Sequence, residues 1–157
     1  MKRLLLFTPF LLAAKSAHND FLEEGRWESV FQVETATIDG KKSNKPAAPI
    51  YQPSRCIQQA ETAPMTFFTY SDSQDCKTTA VKAEKGKVTL SRICHPPAMP
   101  TAYFTAKGHY DSHHYWLNFV MWNKFDGGKM ALKGHIKGSY QDLCSAHETT
   151  IPLSVNP

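Results

Sequence analysis

From Gly25 to Glu34 the chain alternates, with Trp27, Phe31 and Val33 on one face and Arg26, Glu28, Gln32 and Glu34 on the other. Period-two alternation of this kind marks a strand with one buried side. The same pattern predicts three more strands, over Ala102–Tyr110, His114–Phe125 and Lys129–Gly138. Asp111-Ser112-His113-His114 and Asp126-Gly127-Gly128 supply the turns between them. A four-residue turn at 111–114 sets Phe104 against Met121 and Ala106 against Phe119. A two-residue turn at Gly127-Gly128 sets Phe119 against Ile136 and Met121 against Gly134. Both registers bury Tyr115, Leu117, Phe119 and Met121 with Phe104, Met130, Leu132 and Ile136, so one inner face serves all three strands. Gly108, Gly134 and Gly138 fall inside these strands, as expected where a sheet curves strongly.

Two further runs, Cys76–Ala83 and Lys87–Cys94, read as a hairpin around Glu84-Lys85-Gly86. Residues 39–53 are rich in Gly, Lys, Ser, Asn and Pro and are expected to form a long mobile loop. Between residues 57 and 70 a short helical segment interrupted at Pro64 is expected. The fold class is therefore mainly all-β: a curved antiparallel meander sheet, half-barrel or sandwich-like, closed by the strand that carries Trp27. Domain organisation follows as a signal peptide over 1–16, a flexible N-terminus over 17–24, one β-rich domain over 25–144 and a tail over 145–157.

The N-terminus changes the charge argument. Lys2 and Arg3 precede the apolar run Leu4–Ala14, which is broken only by Thr8 and Pro9. That run is too short for a membrane-spanning helix, which needs about 20 residues. It has the form of a secretory signal peptide, with cleavage after Ser16 leaving Ala14 and Ser16 at the small-residue positions. The expected location is the periplasm or the medium, with no membrane span after processing. Loss of Lys2, Arg3 and Lys15 leaves 15 basic side chains against 14 acidic ones. A chain so nearly neutral offers no concentrated basic face for nucleic acid.

Four cysteines, Cys56, Cys76, Cys94 and Cys144, suit an exported chain with two disulfides. No C-x-x-C pair is present to favour zinc. Of the three possible pairings, a three-residue hairpin loop centred on Lys85 favours Cys76–Cys94, because it sets them opposite each other. Cys56–Cys144 follows by elimination, closing a loop of about 89 residues worth about 4–5 kcal/mol in the chain-entropy model.

The order of G-R-W-E at 25–28, S-R-C at 54–56, D-C-K-T at 75–78 and the Lys77–Cys94 hairpin is distinctive. So is the ending from Gly108 to Cys144, G-H-Y followed by G-H-I-K-G-S-Y-Q-D-L-C. Together these motifs resemble the small exported Gram-negative bacterial proteins grouped as domain-of-unknown-function family 3617. The resemblance spans Gly25 to Cys144 and implies export and a β-rich fold. It brings no activity and no catalytic residues. The short acidic helix usual after the family's first Cys is replaced here by Ile57-Gln-Gln-Ala-Glu-Thr, and the tail beyond Cys144 is longer.

Candidate chemistry is sparse. His109, His113 and His114 with Asp111 gather at one turn and offer imidazole and carboxylate ligands, yet an exposed hairpin tip gives a metal little support. His109 is expected opposite Trp116 and His135 opposite Val120, four residues apart along the middle strand and too far to share an ion. Trp116 and Trp122 lie on the outer face near Lys107 and Lys133, with Trp122 opposite Lys133 as an expected cation–π pair. These four residues form a candidate binding surface unless the tail, with Ile151 and Leu153, folds back over them. No G-x-S-x-G, H-E-x-x-H or glycine-rich phosphate loop occurs, and disulfides leave no thiol nucleophile. The chain is thus expected to be a non-catalytic binding or interaction module without a cofactor. Its partner would be an envelope ligand on the concave side or a protein on the tryptophan face. Two other readings remain: a metal-binding envelope protein using the 109–114 turn, and an inhibitor or immunity-type protein acting through loop 39–53.

Overall fold

In a computed structural model, which describes residues 21–43, 47–69 and 73–145, the alternating segments form one open antiparallel sheet. Its strands are β1 (Gly25–Ile38), β2 (Lys41–Lys42), β3 (Ile50–Ile57), β4 (Cys76–Glu84), β5 (Lys87–Cys94), β6 (Ala102–Tyr110), β7 (His114–Phe125) and β8 (Gly128–Asp142). The order across the sheet is β2-β1-β8-β7-β6-β5-β4, and β3 pairs with β1 on the side that β2 also uses. The sheet curls into a half-barrel and does not close. The segment 1–16, expected to be a signal peptide, and the tail beyond Ser145 lie outside the described residues.

The strand carrying Trp27 does not close the sheet as expected: it extends the meander from β8, with Phe31 opposite Ile136, and its other side takes β2 and β3. The β6–β7 register is the expected one, Phe104 opposite Met121. The β7–β8 register is not. Phe125 pairs with Gly128 around Asp126-Gly127, which sets Phe119 against Gly134, Leu117 against Ile136 and Met121 against Leu132. A tertiary contact fixes this choice. The turn joining β1 to β2 places Asp39 where its Oδ1 accepts the Lys129 N–H at 2.8 Å and its own N–H reaches the Lys129 carbonyl. The shift is two residues, so the inner and outer faces are unchanged.

Residues 39–53 are not simply a loop. Asp39-Gly40, both at positive φ, turn the chain into β2, and Ile50–Pro53 belong to β3. Pro53 sits at the irregularity where Trp27 pairs with Arg55 but Ser29 with Gln52. An edge strand tolerates proline at such a bulge because no ladder bond is lost there. Of the stretch 17–24 expected to be flexible, Leu22 is instead buried, and its N–H bonds the Thr62 carbonyl.

Between β3 and β4 the expected helical segment appears as a 3-10 turn, Gln59–Glu61, followed by α1, Pro64–Thr69. Pro64 starts the helix rather than breaking it, since the first helical position needs no N–H partner. Six residues cannot hold a helix alone. Phe67 and Phe68 are buried on the concave face, where Phe67 meets Trp27 edge-on at 5.1 Å and Phe68 meets Tyr110 at 5.7 Å. The helix therefore fills one part of the half-barrel, bridging the gap between its two edges. Trp27, 2% exposed, satisfies its indole N–H on the Glu23 carbonyl at 2.9 Å.

Both disulfides form, Cys56–Cys144 tying β3 to the end of β8 and Cys76–Cys94 joining β4 to β5. The second pairing arises by a route different from the expected three-residue loop. Lys85 and Gly86, at φ 49° and 71°, make a two-residue turn. A bulge between Thr78 and Ala80 then restores the register that puts Cys76 opposite Cys94.

Candidate functional site: an apolar cavity on the concave face

The inner positions of a half-barrel converge, and those not covered by α1 leave a cavity of about 460 Å³. One wall is aromatic. Phe119, 2% exposed, stacks on Phe31 at 4.2 Å and on Phe104 at 5.7 Å. Phe31, Phe104, Met121 and Ile136 are only partly buried and line the space. Pockets for small molecules have this size range and this mixture of apolar walls with a few polar groups.

The polar groups come from the two edges. Arg92 is an inward position of β5, following Val88 and Leu90, and its Nη2 donates to the Phe68 carbonyl at 2.7 Å and its Nε to Thr78 Oγ1 at 3.2 Å. Arg55, from β3, reaches the Phe67 carbonyl and Glu61 Oε1, each at 3.4 Å, and lies over the Phe67 ring. Two guanidiniums thus hold the C-terminal carbonyls of α1, where the helix dipole favours positive charge. Next to Arg55's strand, Ser29 of β1 and Tyr115 of β7 share a hydroxyl hydrogen bond of 2.7 Å. Burial pushes the Tyr115 phenol above its ordinary range, against the smaller opposing effects of Ser29 and Arg55.

Neither arginine was singled out as a site residue by sequence. For Arg92 the signal was present: it is a charged residue on the β5 face that also carries Val88, Leu90 and Cys94. Each also stands just before a disulfide cysteine, in S-R-C and S-R-I-C.

The sequence-selected residues lie on the convex face. Trp116 pairs with His109, as expected, but the changed β7–β8 register places His135 beside Asn118 instead of Val120. His135 stacks on Trp116 at 4.4 Å and bonds Glu34 at 2.8 Å, while Lys137 sits over the same indole at 4.3 Å. Trp122 faces Ala131, not Lys133, so the expected cation–π pair is replaced by Lys129 at 4.9 Å, with Tyr103 stacked at 4.2 Å. Lys133 lies opposite Val120 and Lys107 opposite Asn118. Each tryptophan is thus partnered within its own sheet. Whether the tail covers them falls outside the described residues.

At the 111–114 turn, Asp111 Oδ1 accepts the backbone N–H groups of His113 and His114 at 2.8 Å each and lies 3.4 Å from His114 Nδ1. Partial burial acts to raise its pKa, but the two backbone bonds and His114 outweigh it and hold the carboxyl below its ordinary value. Its oxygen is engaged in closing the turn, and His113 bonds Ser112 and packs edge-on against Tyr140. Among the described residues no group of three His, Cys, Asp or Glu side chains converges as metal ligands would. No helix among them is long and apolar enough to cross a membrane.

The model of the family described as Protein of unknown function (DUF3617) matches residues 22–144. No curated protein and no solved structure matches the chain.

Proposed function

This chain belongs to the DUF3617 family of proteins of unknown function, and from its geometry we propose that it is an exported, non-catalytic binding module whose concave cavity takes a small apolar molecule. The observation that carries this reading is the cavity itself, about 460 Å³ of space walled by half-buried Phe31, Phe104 and Met121. Apolar surface left open inside a fold costs stability unless it is used, and a half-barrel core could otherwise have been filled by larger side chains. Export is supported by the N-terminal pattern and by two disulfides in one small domain. The convex tryptophans support a docking surface less well, because His135, Lys137, Tyr103 and Lys129 already pack on them.

Binding of the neutral fluorophore N-phenyl-1-naphthylamine tests this. Ala102 lines the cavity, so Ala102→Phe should weaken probe binding at least tenfold, while Trp116→Ala on the convex face leaves it unchanged. The opposite pattern would move the site to the tryptophan face, and no probe binding at all would remove the concave-site reading.

A further inference from the structure

One end of the half-barrel gathers exposed apolar side chains and lysines together. The β1–β2 turn, the β5–β6 connection and the β7–β8 turn all lie at this end, since Ile38 pairs with Met130, Cys94 with Ala102 and Ala102 with Asn123. Each connection brings one large apolar residue to the surface: Ile38 is 55% exposed, Met99 64% and Phe125 40%. Phe125 continues the inner row of Phe119 and Met121, and the cavity wall reaches the same end at Cys94 and Ala102. These three side chains form an apolar lip on the concave lining.

Lys41, Lys42, Lys124 and Lys129 flank the lip, and all four are exposed. Lys41 pairs with Ile38, and Lys124 stands directly opposite Lys129. Like charges facing each other across a sheet cost stability, a cost that an anionic partner relieves. The acids at this end are Asp39, Asp75 and Asp126, of which Asp39 is engaged by the Lys129 N–H. Behind the lip, the outer positions of β5, β6 and β7 hold no Asp or Glu. At the opposite end the balance reverses. Phe21 and Leu143 are exposed there too, but they stand beside Glu23 and Asp142, with Glu28 and Asp111 on the neighbouring strand and turn.

We infer that this lip docks on a bilayer that contains anionic phospholipid. Ile38, Met99 and Phe125 enter the boundary of the acyl chains, and the four lysines meet the phosphates. A lysine stem lies along apolar surface while its ammonium stays at the headgroups. Clustered lysines are drawn to an anionic leaflet. A water-soluble polyanion would meet the lysines and leave the apolar side chains in water, which exposed clusters of this kind argue against.

Flotation of the non-reduced protein with phosphatidylcholine vesicles, with and without phosphatidylglycerol, tests this. The protein should float with the anionic vesicles and stay behind with the neutral ones. The triple change Lys41→Gln, Lys42→Gln and Lys124→Gln should weaken that binding by about fivefold per lysine. Phe125→Ser should weaken it at unchanged charge, whereas Lys85→Gln with Lys87→Gln, at the opposite end, should leave it intact. No flotation, equal flotation on neutral vesicles, or equal loss from both lysine sets overturns the inference. Loss from the lysine changes with none from Phe125→Ser would point to a soluble polyanion and overturn it as well. So would a dimer that Phe125→Ser dissociates in the absence of vesicle binding, since a second copy would then cover the lip. Fluorophore binding in solution should be the same in the triple-lysine variant as in wild type, so the docking surface and the concave site stand or fall separately.

Discussion

Phe119→Ala tests whether the concave face is the structural centre of this protein. Phe119 sits in the middle of β7, opposite Ala106 on β6 and Gly134 on β8. Small neighbours on both sides leave room for its ring, which lies between Phe31 and Phe104 at 4.2 and 5.7 Å and is 2% exposed. Truncating a fully buried phenylalanine costs about 3–5 kcal/mol, combining lost transfer energy with the cavity left behind. About 1–3 kcal/mol of that belongs to the two ring pairs. With a urea slope of about 1.5 kcal/mol per molar, the midpoint should fall by about 2–3 M. Far-UV circular dichroism of the oxidised protein reads this directly. Trp116→Ala on the convex face should cost about 1 kcal/mol or less, the scale of one cross-strand pair. A Phe119→Ala midpoint within 0.5 M of wild type, a margin of about 0.8 kcal/mol at that slope, or an equal loss from Trp116→Ala, would refute the assignment of faces.

The two disulfides should contribute unequally. Cys56–Cys144 spans 88 residues and Cys76–Cys94 spans 18. Loop-closure entropy then gives about 4–5 kcal/mol for the first and about 3 for the second. Thermal unfolding of the paired Cys→Ser variants should rank them in that order, and a reversed order would contradict the entropic argument. The Asp111 carboxyl titrates below its ordinary value, so its contribution is present above the unfolded pKa near 3.8 and is lost as pH falls through the lower folded value. Asp111→Asn should therefore flatten the acid limb of the stability curve below about pH 4. A limb unchanged by that substitution would show that the turn does not depend on the charge.

Most of the sheet was legible because one buried face imposes period-two patterning on β1, β6, β7 and β8, and a strand cannot slip by one residue without exposing Phe119 or Leu117. A slip of two leaves the pattern intact, which is why the β7–β8 register was not legible: Asp126-Gly127-Gly128 permits a turn at either pair, and Asp39, about 90 residues away in sequence, decides between them. The same error hid the convex ring pairs, whose partners shift with the register. The Cys76–Cys94 pairing was recoverable even though its turn is shorter than expected, since the Thr78–Ala80 bulge compensates by one residue. The β3 edge was obscured by Pro49 and Pro53, which read as loop residues unless a partner strand is known. The concave cavity was the least visible feature. Its arginines come from β3 and β5, strands at opposite sides of the half-barrel, and only α1, folded between them, brings both to one helix end.

The most direct test is a native mass spectrum of the non-reduced protein purified from the cells that produce it. The account predicts a polypeptide four hydrogens lighter than the reduced chain, carrying a small, largely apolar organic molecule bound non-covalently, which denaturation releases. A released adduct that is a metal ion would contradict it. So would a bare chain that takes up no N-phenyl-1-naphthylamine when the probe is added.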